Sequence, residues 1–304
     1  MKTVEAPSAR VDAPARARPG RVGRRWRPRT LVFRLAMYAL LLGLSAFILL
    51  PVGWMLTAAL KPDRVPVFTA TPEWWPREFW HWENFRRVLT ESMPFLRYTL
   101  NTTLVVVGNV LGVLISCSLV GFGFARMRFR GSKILFSILI ITMLIPWQVL
   151  MVPQFLMFFK IHWYGTYLPL IVPSFGGTAF FIFLIRQYMR TIPRDLDDAA
   201  RVDGLNSWQI FWRIILPLST PVLTVCAVFT FLWNWNNLLG PLLYLDSDEK
   251  FTVAIGLANL VSRSDTPWNL MMAANLLSII PPIVIYFFAQ KKLIGGIASV
   301  GLKG

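Results

Sequence analysis

Charged side chains are missing from six long stretches of the chain, and their spacing predicts its architecture. No Asp, Glu, Lys or Arg occurs in residues 35–60, 98–125, 134–159, 161–185, 214–245 or 266–290, and each stretch is at least 25 residues long. A helix needs roughly 20 apolar residues to cross a hydrocarbon layer about 30 Å thick. It satisfies its own backbone hydrogen bonds there. The pattern predicts an all-α, six-transmembrane-helix polytopic protein with spans at about 35–60, 98–125, 134–159, 165–186, 217–241 and 268–290. Residues 1–30 are rich in Arg, Pro and Ala and have no apolar period. They read as a disordered basic tail able to touch anionic lipid. Residues 31–294 read as the transmembrane domain, with a polar loop at 191–217, and residues 295–304 as a second tail.

Composition agrees: only 15% of residues are charged, against about 25% in soluble domains. The net charge of +16 invites a nucleic-acid reading, which the placement of the charges removes. With both termini cytoplasmic, the inside segments hold 22 basic and 6 acidic residues, and the outside segments 9 of each. The entire excess lies on one side, as the positive-inside rule requires. The expected surroundings are therefore lipid and not nucleic acid. Arg24-Arg25 resembles a twin-arginine export signal, but the apolar run after it is far too long for a cleaved peptide. Cys117 and Cys226 each fall within a span and read as small buried apolar residues, with no disulfide or metal spacing. The outer segment 61–97 carries Trp74, Trp75, Trp80 and Trp82, suited to interfacial anchoring, with a short helix expected near 82–89.

The segment 191–217 differs from the rest. Pro193 suits a helix start. Asp195, Asp197 and Asp198 cluster where the helix dipole favours negative charge. Leu196, Ala199 and Ala200 form one narrow apolar face at i, i+3 and i+4. Gly204 suits a left-handed cap, and Asn206 with Gln209 suits a capping box opening a second helix. The prediction is helix, tight turn, helix. The first helix presents a small apolar face ringed with charge, fit for a groove on a soluble partner. A helix lying on the membrane would be more uniformly basic on its polar side, whereas Arg194, Arg201 and Arg213 alternate here with four aspartates.

This segment resembles the signature loop of ABC-importer permeases: Glu-Ala-Ala, three residues, Gly, nine residues, Ile-x-Leu-Pro. Asp198-Ala199-Ala200, Gly204, Ile214, Leu216 and Pro217 keep that spacing without a gap, and Asp198 replaces the usual Glu. Two further stretches are similar to the carbohydrate importers of the maltose-permease type. They are Trp233-Asn234-Trp235-Asn236-Asn237, followed by Gly240-Pro241-Leu242, and the Gly-rich ending in Lys303-Gly304. The resemblance implies a coupling helix over 195–203 turning at Gly204, docked in an ATPase subunit, with Asp195, Asp198 and Asp203 around its contact face. It implies a second ATPase contact at Lys303 and Gly304. The partners it implies are a second permease chain different from this one, two copies of an ABC ATPase that hold the ATP and Mg, and an extracytoplasmic solute-binding protein. No cofactor is expected on this chain. Trp233, Asn234, Trp235 and Asn237 offer aromatic faces and amides to a sugar pathway, but the favoured reading of such groups is that they lock spans together.

Other functions lack their chemistry. A membrane-embedded enzyme or proton-coupled transporter needs buried ionisable groups, but no span carries a carboxylate, and His81 and His162 lie outside or at a span edge. Gly296 and Gly301 mimic a phosphate loop, yet Leu302 separates Gly301 from Lys303. A permease for a polyol, glycerol phosphate or other non-sugar solute stays open beside the sugar reading.

Overall fold

The computed structural model describes residues 28–69, 74, 80–262 and 267–301, with side chains at 32–69, 74, 80–262 and 267–292. It is helical throughout, with no strand among the described residues. The chain divides into two units, residues 1–50 and 51–304. Helix α1, Pro28–Ala59, begins in the first unit. Its residues from 32 to 50 are almost all apolar, on every side of the helix, the composition of a membrane span.

The second unit holds the remaining elements. After α2 (Glu83–Arg87) and a π turn, α3 runs unbroken over Phe95–Arg126. At 1.5 Å per residue it is about 48 Å long. Helices α4 (Ser132–Thr142) and α5 (Trp147–Lys160) follow, bent by 96° to each other. Pro146 sits at the bend as the N-cap of α5, and the residue before a proline is pushed out of helical conformation. The apolar run 134–159, expected as one span, is thus a broken one.

The fourth span is also irregular. It comprises α6 (Leu168–Ile171), a 3-10 turn and α7 (Ala179–Thr191), with Gly177 at φ +84° between them. Broken backbone at membrane depth is tolerated only where neighbours satisfy it, and α3 supplies the groups. Asn109 Nδ2 donates to Leu170 O at 2.9 Å, Ser116 Oγ to Ser174 O at 3.0 Å, and Thr178 N donates to Cys117 Sγ at 3.3 Å. Cys117 is buried, as expected, but also acts as an acceptor. The fit depends on small residues: a Cβ on Gly112 would lie 2.0 Å from Ser174 Oγ, and one on Gly108 2.7 Å from Ile171. This Gly108-x3-Gly112 stripe is the small-residue contact typical of membrane helices.

Helices α8 (Asp195–Val202) and α9 (Ser207–Ile210) form the hairpin, and a π turn over Phe211–Ile215 joins α9 to α10 (Leu216–Leu218). Helix α11 (Thr220–Trp235) then departs at 74°. Pro217 lacks an N–H, and its ring would clash with the carbonyl four residues back in a regular helix; the π turn loosens the backbone just before it. The fifth span, expected at 217–241, is therefore bent at its start, and α12 (Leu239–Tyr244) is separate from it. Helix α13 (Val253–Val261) precedes α14, which runs Trp268–Gly301 without a break across Pro281 and Pro282. Among the described residues, four helical stretches are long and apolar enough to cross a membrane, and two bent pairs bring the number to six if each is one crossing.

Two apolar clusters lie at the two ends of α3. One gathers Phe95 and Tyr98 with Ala58, Ala59, Val253 and Ala273. The other joins Phe122 and Ala125 with Ile185, Met189, Ala200, Phe211, Ile215 and Cys226. The hairpin is built onto the second.

Candidate functional site

Helix α8 starts without a side-chain cap. Its first two amide donors beyond the start, Asp197 N and Asp198 N, reach Arg194 O at 2.8 and 3.1 Å. Pro193 stands one residue before the N-cap Arg194, not in the first turn. The other end closes as a Schellman motif. Leu205 N donates to Ala200 O at 2.9 Å and Gly204 N to Arg201 O at 3.0 Å, with Gly204 at φ +83°. A Cβ on Gly204 would meet nothing within 4 Å, so its requirement is conformational and not steric crowding. The capping box forms as expected: Gln209 N donates to Asn206 Oδ1 and Asn206 N to Gln209 Oε1, both at 2.9 Å.

The expected face of Leu196, Ala199 and Ala200 is divided. Ala200 is buried in the cluster at the end of α3, while Leu196 and Ala199 are exposed. The outward surface consists of Leu196, Ala199 and Val202, the last 89% exposed, with Asp195, Asp198 and Asp203 beside them. The inward surface is Ala200 and Asp197. The division follows from the packing: α8 must bury one stripe on its own chain, so only the opposite stripe remains for another. Asp203 is the C-cap residue, and the helix proper ends at Val202. Ile214 and Leu216 are half-buried and Pro217 is exposed.

Sequence reasoning placed Asp197 only in the acidic first turn of the helix and assigned nothing to Arg126. Arg126 ends α3, is buried, and lies 3.6 Å from Asp197 (Nη1 to Oδ2). Both line a polar cavity of about 520 Å³ with Arg128, Arg194, Asp198 and Arg201. The signal available was slight: Arg126 is the first charge after a span, and Asp197 is one of four aspartates.

The aromatic-amide segment is arranged differently. Trp235 is 4% exposed and donates Nε1–H to Ser278 O on α14 at 3.0 Å. Asn234 Nδ2 donates to Thr230 O of its own helix, and Asn237 Oδ1 accepts from Gly240 N. Trp233 is 54% exposed and lies among the rings of Phe180, Phe181 and Phe229 at 6.2, 5.4 and 5.9 Å. The structure therefore does not gather the four expected pathway residues around one space. A cavity of about 300 Å³ adjoins Trp235, lined also by Asn236, Ala254, Leu257, Met271 and Ser278; only Trp235 of the four borders it. Lys303 and Gly304 lie outside the described residues. No cluster of metal-ligating side chains occurs among the described residues.

The family described as "Binding-protein-dependent transport system inner membrane component" matches residues 108–298, which include the hairpin. The chain is 30% identical over 277 residues to the arabinooligosaccharides transport system permease protein AraQ of Bacillus subtilis (strain 168), covering 91% of this chain and 98% of that protein. It is 32% identical over 190 residues to the lactose transport system permease protein LacG of Rhizobium radiobacter, covering 62% and 69%. In fold it is similar to a chain from the crystal structure of a bacterial ABC transporter that imports the acidic polysaccharide alginate. That match has a TM-score of 0.73 and 22% identity, covering 88% of this chain and 99% of the other. An all-helical, multi-pass chain whose signature-bearing hairpin is folded and exposed on one stripe thus has matching sequence relatives along most of its length, and it belongs to the binding-protein-dependent transport system inner membrane component family as a permease of the carbohydrate ABC-importer type.

Proposed function

We propose that this chain is one of two permease subunits of an importer that moves a sugar or oligosaccharide across the cytoplasmic membrane, driven by ATP hydrolysis in a partner chain. The observation that carries the proposal is the two-sided hairpin. One stripe of α8 is fixed to the ends of α3 and α7 through Ala200, while Leu196, Ala199, Asp198 and Asp203 on the other stripe are exposed. A helix fixed on one side and free on the other passes a displacement from a docked partner into the spans, as rigid elements do in other two-state transitions. On this reading α8 enters a cleft of an ABC ATPase, of which two copies hold the ATP and Mg, and Lys303 and Gly304 reach the same subunit. Both termini face the cytoplasm, where the net charge of +16 collects. A solute-binding protein delivers the sugar from outside, in keeping with the family's name and with sugar-transport relatives such as AraQ and LacG. Trp233, exposed amid aromatic rings, is the pathway residue best placed to meet solute.

Affinity purification of the tagged chain in mild detergent, with identification of what accompanies it, tests the proposal. The expected result is an ATPase, a second permease and a solute-binding protein. A chain recovered alone that still transports solute would overturn it.

A further inference from the structure

Resting on the reading above, we propose that Arg126 and Asp197 form the joint through which the hairpin's displacement enters the second span, and that they act as positioning residues. Neither belongs to the signature spacing of Asp198, Ala199, Ala200 and Gly204. Arg126 is the last residue of α3. Its Nη2 donates to Ile192 O at 2.8 Å, the residue that follows α7. Its Nη1 lies 3.6 Å from Asp197 Oδ2 on α8, with the two side chains 3% and 9% exposed. One planar guanidinium thus touches the end of the second span, the end of the fourth and the hairpin helix.

The other link between α8 and the spans is apolar, through Ala200. Apolar contacts are non-directional and allow sliding. A buried ion pair is directional, and removing one partner strands a charge. Such a pair is weak evidence for stability, since a matched neutral pair often replaces it without loss. Its value here is geometric. The pair is also unsaturated: Arg126 Nε and Asp197 Oδ1 have no hydrogen-bond partner among the described residues. At 3.6 Å it is longer than a direct charge-assisted hydrogen bond of about 2.7–2.9 Å. It has room to tighten when α8 is pushed, and Arg128, Arg194, Asp198 and Arg201 around the shared cavity hold it in a charged setting.

The test uses the assembled transporter in lipid nanodiscs, with Mg-ATP and vanadate as the probe. A spin label at Val202→Cys reports on the hairpin, and one at Leu96→Cys on the far end of α3; both positions are exposed. In the otherwise unaltered chain both spectra should change on trapping. In the double variant Arg126→Gln/Asp197→Asn, which leaves no stranded charge, the Val202 response should persist and the Leu96 response fall about fivefold or more. Arg126→Lys, which keeps the charge but loses the fork, should give a Leu96 response between the two. An undiminished Leu96 response in the double variant would overturn the joint. Absence of any Val202 response in the unaltered chain would instead overturn the proposed function.

Discussion

The hairpin at 195–217 and the aromatic-amide segment at 233–242 carry the family resemblance equally, yet they use their residues in opposite ways. In the hairpin, backbone groups and the Asn206–Gln209 capping box, none of them signature residues, close the local structure, and the signature side chains Asp198 and Ala199 are left exposed. In the aromatic-amide segment the side chains do the closing: Trp235 binds Ser278 O, Asn234 binds Thr230 O, and Asn237 binds Gly240 N. A motif whose side chains face outward is available to another molecule. One whose side chains are consumed by its own chain is first a structural device.

Three substitutions would break or sharpen this contrast. The largest effect is expected for Trp235→Ala, which removes a buried ring and the α11–α14 hydrogen bond. Loss of such a residue costs about 3–5 kcal/mol, and thermal unfolding in detergent should register it. An unchanged midpoint would deny the segment its structural role. Next is Gly204→Val. The left-handed backbone at φ +83° costs a residue with a Cβ about 1–2 kcal/mol, enough to distort the turn while the spans still insert. Hydrolysis of ATP by the assembled complex should continue while uptake falls, and unchanged uptake per ATP would count against the turn. The smallest structural effect is expected for Trp233→Ala, whose ring is half exposed. Stability should stay within about 0.5 kcal/mol, so that any loss of uptake reports a contact with solute. A drop in midpoint as large as that of Trp235→Ala would erase the distinction drawn here.

The sequence already made much of this legible. Six charge-free runs announced the crossings, because lipid excludes unpaired charge all along a span. The hairpin was readable in detail, since Gly204, Asn206 and Gln209 act within a few residues of one another. What escaped notice depends on tertiary partners. Pro146 signals that its run can kink, but hydropathy is blind to the size of the 96° bend there and to the 74° bend before Thr220, because both halves of each run are apolar. The division of the α8 face needed the end of α3 to claim Ala200. The Arg126–Asp197 contact joins residues 71 positions apart, beyond the reach of any local pattern. The Gly108-x3-Gly112 stripe was visible in principle as a small-residue spacing, but its partner, the broken fourth span, was not.

The closed turn after α8 bears on assembly. With the Schellman bonds at Gly204 and the following capping box both made within residues 200–209, the turn is ordered before anything touches it. A docking element that folds only on contact surrenders several kcal/mol of its binding energy to ordering; one already rigid keeps that energy for the contact. If the hairpin docks as proposed, encounter with a nucleotide-driven engine is rapid, reversible and repeatable, and the same turn is presented at every cycle.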